Sequence, residues 1–71
     1  MPRPDKLLLS KWTAAHPQNK EKHFLVVGLV LPEPPASQIE YVELEAIYTR
    51  RSRTLRWREL LESGEWIAGW R

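Results

Sequence analysis

Eight consecutive residues, Phe24 to Leu31, carry no charge and no hydrogen-bonding side chain. In an extended chain Phe24, Val26 and Val30 point one way, and Leu25, Val27, Leu29 and Leu31 the other. Apolar residues on both alternations suit a strand deep within a sheet, so Lys22 to Leu31 reads as a central strand. Gly28 inside it marks a bulge or a close approach of another backbone. The run is too short to cross a bilayer as a helix, which takes about 20 apolar residues. The rest of the chain has to be arranged around that strand.

With 71 residues the chain makes one small domain. It has no cysteine, so neither a disulfide framework nor a cysteine-based metal site or nucleophile is available. Its 42% hydrophobic and 28% charged residues give a globular balance. Cohesion falls to four tryptophans, Trp12, Trp57, Trp66 and Trp70. Each enclosed aromatic ring buries about 150–250 Å². Most of the four are therefore expected in the core. Three of them fall in the last fifteen residues, so the tail is expected to pack onto the domain. Residues 1–5, with two prolines and nothing to bury, read as a mobile lead-in to a single domain over 6–71. No apolar signal segment follows Met1, and the expectation is a cytoplasmic protein with no membrane association.

Leu7 to Ala15 is compatible with either a strand or the opening of a helix, and Trp12 and Thr13 favour a short strand over Ser10 to Ala14. His16-Pro17-Gln18-Asn19-Lys20 reads as a turn. Pro32, Pro34 and Pro35 end the central strand. Ser37-Gln38-Ile39-Glu40 matches a helix capping box, but period-two alternation from Tyr41 to Tyr48 overrides it. Val42, Leu44, Ala46 and Tyr48 then share one face, and Tyr41, Glu43, Glu45 and Ile47 a wetter one. After the charged connection Arg50 to Arg53, Thr54 to Trp57 alternates again. Trp57, Leu60 and Leu61 fall on one helical face, and Ser63-Gly64 stops that helix. The tail from Glu65 to Arg71 is compatible with a strand, a turn or a lid. The predicted fold is mainly β, of α+β type. It has a small antiparallel sheet of three to four strands, a short C-terminal helix and a packed Trp-bearing tail.

Two stretches are familiar together. Ser10-Lys11-Trp12-Thr13-Ala14 leads through Pro17 to Lys20-Glu21-Lys22-His23-Phe24. Leu44-Glu45-Ala46 is followed by Thr49, Trp57-Arg58-Glu59-Leu60, Trp66 and Gly69-Trp70. From about Lys6 to Trp70 the chain resembles the small tryptophan-rich bacterial proteins that form a family of unknown function. It departs from that pattern in its Pro32 to Ser37 connection, at Leu9 and at Ala68. The resemblance implies a size and a bacterial origin, and brings no activity, substrate or cofactor.

Charge is segregated. Arg50, Arg51, Arg53, Arg56 and Arg58 occupy nine residues without an acid, and Glu33, Glu40, Glu43 and Glu45 occupy thirteen without a base. The formal net charge of +2 conceals this polarity. Guanidinium groups pair with phosphate or carboxylate and stack on aromatic faces. The arginines beside Trp57 thus suit an anionic ligand or an acidic partner, unless Glu43, Glu45 and Glu59 pair with them. Lys11 and Lys22, with Lys20 and His23, form a second basic group near Trp12. The two groups merge only if the first and third long segments are neighbours in the sheet.

Catalytic and metal sites are not expected. Zinc normally takes three or four ligands, and His16 and His23 are the only histidines. Ser10 or Thr13 with either histidine forms at best a nucleophile and base without an orienting group, since Asp5 is the only aspartate. Glu43 and Glu45 resemble a carboxylate pair but fit a solvated strand face. Gly28, Gly64 and Gly69 are too scattered for a phosphate loop. A chain of this size is also expected to lack a pocket of the usual 300 Å³ or so.

The expected function is accordingly a small non-catalytic interaction or adaptor module, without cofactor, metal or small-molecule substrate. It would bind a protein partner or a second copy of itself. The alternative is a single-stranded nucleic-acid-binding module using the arginine segment and an exposed tryptophan. Trp12, Trp57, Trp66 and Trp70 are the aromatic anchor candidates, with Arg50, Arg51, Arg53, Arg56, Arg58, Lys11 and Lys22 as the cationic ones.

Overall fold

The computed structural model describes residues 4–71 of the chain. Residues 1–3 of the expected lead-in lie outside the described residues, while Pro4 and Asp5 begin a 3-10 turn that runs to Leu7. Among the described residues there follow β1 (Lys11–Gln18), β2 (Glu21–Val30), β3 (Tyr41–Ala46), β4 (Ser52–Arg56), α1 (Trp57–Glu62) and β5 (Trp66–Ala68). The strands form one sheet in the order β4-β3-β2-β1-β5, antiparallel throughout. The fold is mainly β, as expected, with the Phe24–Leu31 segment supplying the middle strand. The sheet has five strands rather than three or four because the Trp-bearing tail itself adds one, beside β1.

β1 runs farther than expected, through His16-Pro17-Gln18. Proline withholds an amide from the ladder. Here β5 pairs only with Trp12, Thr13 and Ala14, and the register of β1 on β2 shifts between Thr13 and Gln18, so Pro17 interrupts no regular pairing. The turn narrows to Asn19 and Lys20, whose φ values of 54° and 61° are those of a two-residue hairpin that matches strand twist.

Gly28 does lie at a bulge. Val26 stands opposite Leu44 and Gly28 opposite Glu43, which leaves Val27 as an extra residue in β2. That insertion corrects the expected alternation. Phe24 and Val26 face the core, but the parity then changes, so Leu29 packs inward opposite Val42 and Val30 turns out. Without the extra residue Leu29 would be carried to the outer face. β3 fits its expected pattern only to Ala46. Its residues Val42, Leu44 and Ala46 are buried, whereas the chain turns at Ile47, with the Arg50 amide donating to the Ala46 carbonyl at 2.8 Å. Tyr48 is thereby exposed, outside the strand in which it was expected. Ser37 to Glu40 forms no helix, in keeping with the rejected capping box.

The core sits on one face of the sheet, where Trp12, Phe24, Val26, Val42, Leu44, Ala46 and Leu55 meet Trp57 and Leu60 of α1. Laid flat, five strands would hold β4 and β5 about 19 Å apart. Yet the Arg53 guanidinium of β4 lies 5.7 Å from the Trp66 ring centre of β5. The sheet therefore curls around its core, and α1 crosses from one edge strand to the other. At the end of α1 the Ser63 hydroxyl donates to the Glu59 carbonyl at 2.6 Å, and Gly64, at φ +78°, supplies the left-handed residue that turns the chain.

Candidate functional site

The arginine segment is divided by the curl of the sheet. Arg50, in the β3–β4 turn, reaches Glu45 at 3.5 Å, one of the pairings weighed from the sequence. Among the described residues no other arginine of the segment forms an ion pair with a glutamate within 4.0 Å. Arg51 lies in the same turn, its amide donating to the Thr49 hydroxyl at 3.3 Å. Arg53 stands opposite Leu44 on the core side, its guanidinium 5.3 Å from the Phe24 ring and 5.7 Å from that of Trp66. Arg56 points outward opposite Tyr41, 5.9 Å from its ring. Hydrogen bonding and charge interaction with Tyr41, then the charges of Glu40 and Glu59, raise the Arg56 pKa above its ordinary value. Arg58 lies over the Trp57 ring at 4.9 Å. Four of the five are thus available to an outside anion, strung along β4 and its flanks rather than gathered into one patch.

The tryptophans divide two and two. Trp12 and Trp57 are buried, their indole N–H groups donating to the Ser10 hydroxyl at 2.8 Å and the Ile39 carbonyl at 3.0 Å. Trp66 is half-buried, edge-on to Phe24 with ring centres 4.9 Å apart. Trp70 is 43% exposed, though its N–H donates to the Phe24 carbonyl at 2.8 Å. Trp70 lies on the outer face of the sheet, beside His23 and under the Lys11 ammonium at 4.9 Å.

Lys11, on β1, does not join the arginines, and Lys22 is an exposed residue of β2. β2 separates β1 from β3, so the condition for one merged positive face is not met. Lys11 belongs instead to a clasp that holds the tail. The buried Thr13 hydroxyl donates to the Gly69 carbonyl at 2.6 Å and accepts from the Arg71 amide at 2.9 Å. His23, opposite Thr13, places Nε2 2.9 Å from the Arg71 carbonyl oxygen. Thr13 and His23 are therefore neighbours whose Oγ1 and Nε2 atoms are both engaged by the tail. Ser10 receives the Trp12 indole. Glu43 and Glu45 lie on the outer face, as the alternation implied. Glu21, buried at the start of β2, accepts a hydrogen bond from the Thr49 hydroxyl. Among the described residues no group of three or more His, Asp or Glu could hold a metal ion, and no helix is long and apolar enough to cross a membrane.

The segment from Pro32 to Glu40 creates what the sequence did not foretell. An open cleft of about 660 Å³ lies between Pro4, Ser37 to Glu40 and Arg56 to Arg58. A second, of about 480 Å³, lies between Val30, Pro32, Pro35 and Tyr41. Both exceed the volume expected of so small a chain, because an irregular loop stands away from the sheet instead of packing flat on it. Beside the second cleft Leu31 is 77% exposed, and Val30 and Tyr41 are 38% exposed. Val30 and Tyr41 are cross-strand partners that both line this cleft, so the two form one apolar surface at the end of β2 and β3. The prolines signalled a break in the strand; nothing in the sequence signalled that the break would leave a groove.

Over residues 10–71 the chain matches the family described as tryptophan-rich protein (DUF2389), and it belongs to that family, which is one of unknown function. All four tryptophans fall within the match. No curated protein and no solved structure matches the chain.

Proposed function

We propose that the chain is a small non-catalytic interaction module that docks a protein partner at the apolar end of its sheet. The observation that carries this reading is the exposed cross-strand pair Val30 and Tyr41, which lines the proline-walled cleft. Single exposed apolar residues are normal. An apolar surface beside a concavity, rimmed by Glu40 and Arg56, has instead the layout of a protein contact, with an apolar centre and a polar border. The proposal keeps the cytoplasmic setting expected from the sequence.

Single-stranded nucleic acid is the weaker reading. Such ligands stack on accessible rings between backbone-tracking cations. Here Arg53 is stacked on Phe24 and Trp66 and Arg58 on Trp57, so these cations are already engaged by rings of their own chain.

The test is capture from a host lysate by the immobilised chain and by its Val30→Asp variant, followed by reconstitution with the purified captured protein. Wild type should rebind it, and the variant should lose about tenfold or more in affinity, as expected for a residue at the centre of a contact. A captured protein that fails to rebind, or that binds the variant equally well, overturns the proposal.

A further inference from the structure

The two outer strands of the sheet leave different things unpaired, and β4 leaves more. The Ala46 amide donates to the Arg51 carbonyl at 2.8 Å, which fixes the phase of the β3–β4 ladder. Arg53 and Leu55, opposite Leu44 and Val42, therefore turn their N–H and C=O groups toward β3. Ser52, Thr54 and Arg56 turn theirs away, and β4 is the last strand in the order. All three residues are exposed. A row of donors and acceptors at strand spacing is thus open along the molecule's flank.

The charged side chains carried by β4 itself are all cationic, with Glu45 and Glu43 of β3 opposite Ser52 and Thr54. Between Glu45 and Glu59 the chain has five arginines and no acid; among the described residues only Arg50 forms an ion pair with a glutamate within 4.0 Å, while the charges of Glu40 and Glu59 act on Arg56. Pairing β4 with β4 of a second copy would set like charges side by side, which disfavours it. An incoming strand with carboxylates reverses that sign. Its main chain would meet Ser52, Thr54 and Arg56 while its acids met Arg51, Arg56 and Arg58. The Arg56 guanidinium lies 5.9 Å from the Tyr41 ring, so the edge runs directly into the apolar surface described above.

From this arrangement we infer that β4 is a docking edge for an extended acidic segment of a protein partner, which joins the sheet as a sixth strand. The inference rests on the protein-binding reading and specifies its chemistry. A nucleic-acid strand answers the arginines but not the alternating amide and carbonyl row, which only another peptide backbone matches.

The probe is a fluorescein-labelled octapeptide alternating Glu with Val, followed by fluorescence anisotropy and by ¹H–¹⁵N spectra of the full chain. Three comparators are used: the same peptide N-methylated at every amide, a Lys-Val octapeptide and an oligothymidylate of similar length. The acidic peptide should bind, and the Ser52, Thr54 and Arg56 amides should shift more than those of Arg53 and Leu55. Thr54→Pro removes an outward N–H that β3 does not use, and should weaken binding about tenfold or more. The double variant Arg51→Glu, Arg56→Glu should do the same with the main-chain row intact, which keeps the inference testable if the proline variant does not fold.

No binding of the acidic peptide, equal binding of its methylated form, or tighter binding of the oligothymidylate overturns the docking edge. Capture separates the two levels. A partner that rebinds wild type and Thr54→Pro equally removes the edge and leaves the protein-binding reading standing. Failure of wild type to yield any rebinding partner removes the wider reading.

Discussion

The two edges of this sheet are protected in opposite ways. β5 is three residues long and faces outward only through Trp66 and Ala68, because Glu65 and Gly69 bond to β1 at 2.8 Å on either side. The Arg71 side chain then donates to the Ala68 carbonyl at 3.2 Å, and the Trp66 ring anchors the strand against Phe24. β4 is longer and carries no such cap; its outward groups are shielded only by arginine charge. A short, capped edge is closed to any strand, whereas a charged edge is closed to its own kind and open to the opposite sign. On the proposal above, recognition falls on the β4 side of the molecule, and the tail serves to hold the fold together.

The largest test of this contrast compares proline at two adjacent positions of β4. Leu55→Pro removes an amide that bonds to β3 together with a buried side chain, and should cost more than about 3 kcal/mol. Thr54→Pro removes an amide that points to solvent and should cost within about 1 kcal/mol. Urea midpoints measure both, and equal losses would break the assignment of Thr54 to an open edge. Next in size is Trp66→Ala at the sealed edge. Losing a half-buried ring and its contact with Phe24 should cost about 2–3 kcal/mol and unpin β5. Hydrogen exchange should then accelerate at the Ala15 amide, which donates to Glu65, while the Ala46 amide beside β4 keeps its relative protection. Uniform acceleration would mean that the two edges unfold as one unit and that the tail does not close β5 on its own.

The parts legible in the sequence were those written in period two or in the chemistry of one residue. The central strand, the Val42-Leu44-Ala46 face, the Asn19 turn, the Gly28 bulge and the stop at Ser63-Gly64 each had a local cause. Parity beyond the bulge was not legible, because Val30 and Leu29 exchange faces through one extra residue whose existence depends on pairing with β3. Pro17 misled for a related reason: proline bars a strand only where a neighbour needs its amide, and strand order decides that. The arginine segment was visible as charge, but its division between the core side, the outer face and the turn follows from which β4 residues pair with β3. Edge position has no local signature, so the open row on Ser52, Thr54 and Arg56 could be found only from the sheet.

The smallest effect is the one that separates the two ways of protecting an edge. Arg71→Ala deletes the cap on Ala68 but leaves the Arg71 main chain free to keep its contacts with Thr13 and His23. One exposed hydrogen bond is at stake, about 0.5 kcal/mol, so the thermal midpoint should fall by only about 2–4 °C for a domain of this size. Oligomeric state is the more informative readout. If shortness is what guards β5, the variant stays monomeric when concentrated, since Trp66 and Ala68 alone offer too few groups for a strand to add. If it instead associates, the Arg71 cap was the barrier, and β5 would differ from β4 only in having its outward carbonyl occupied.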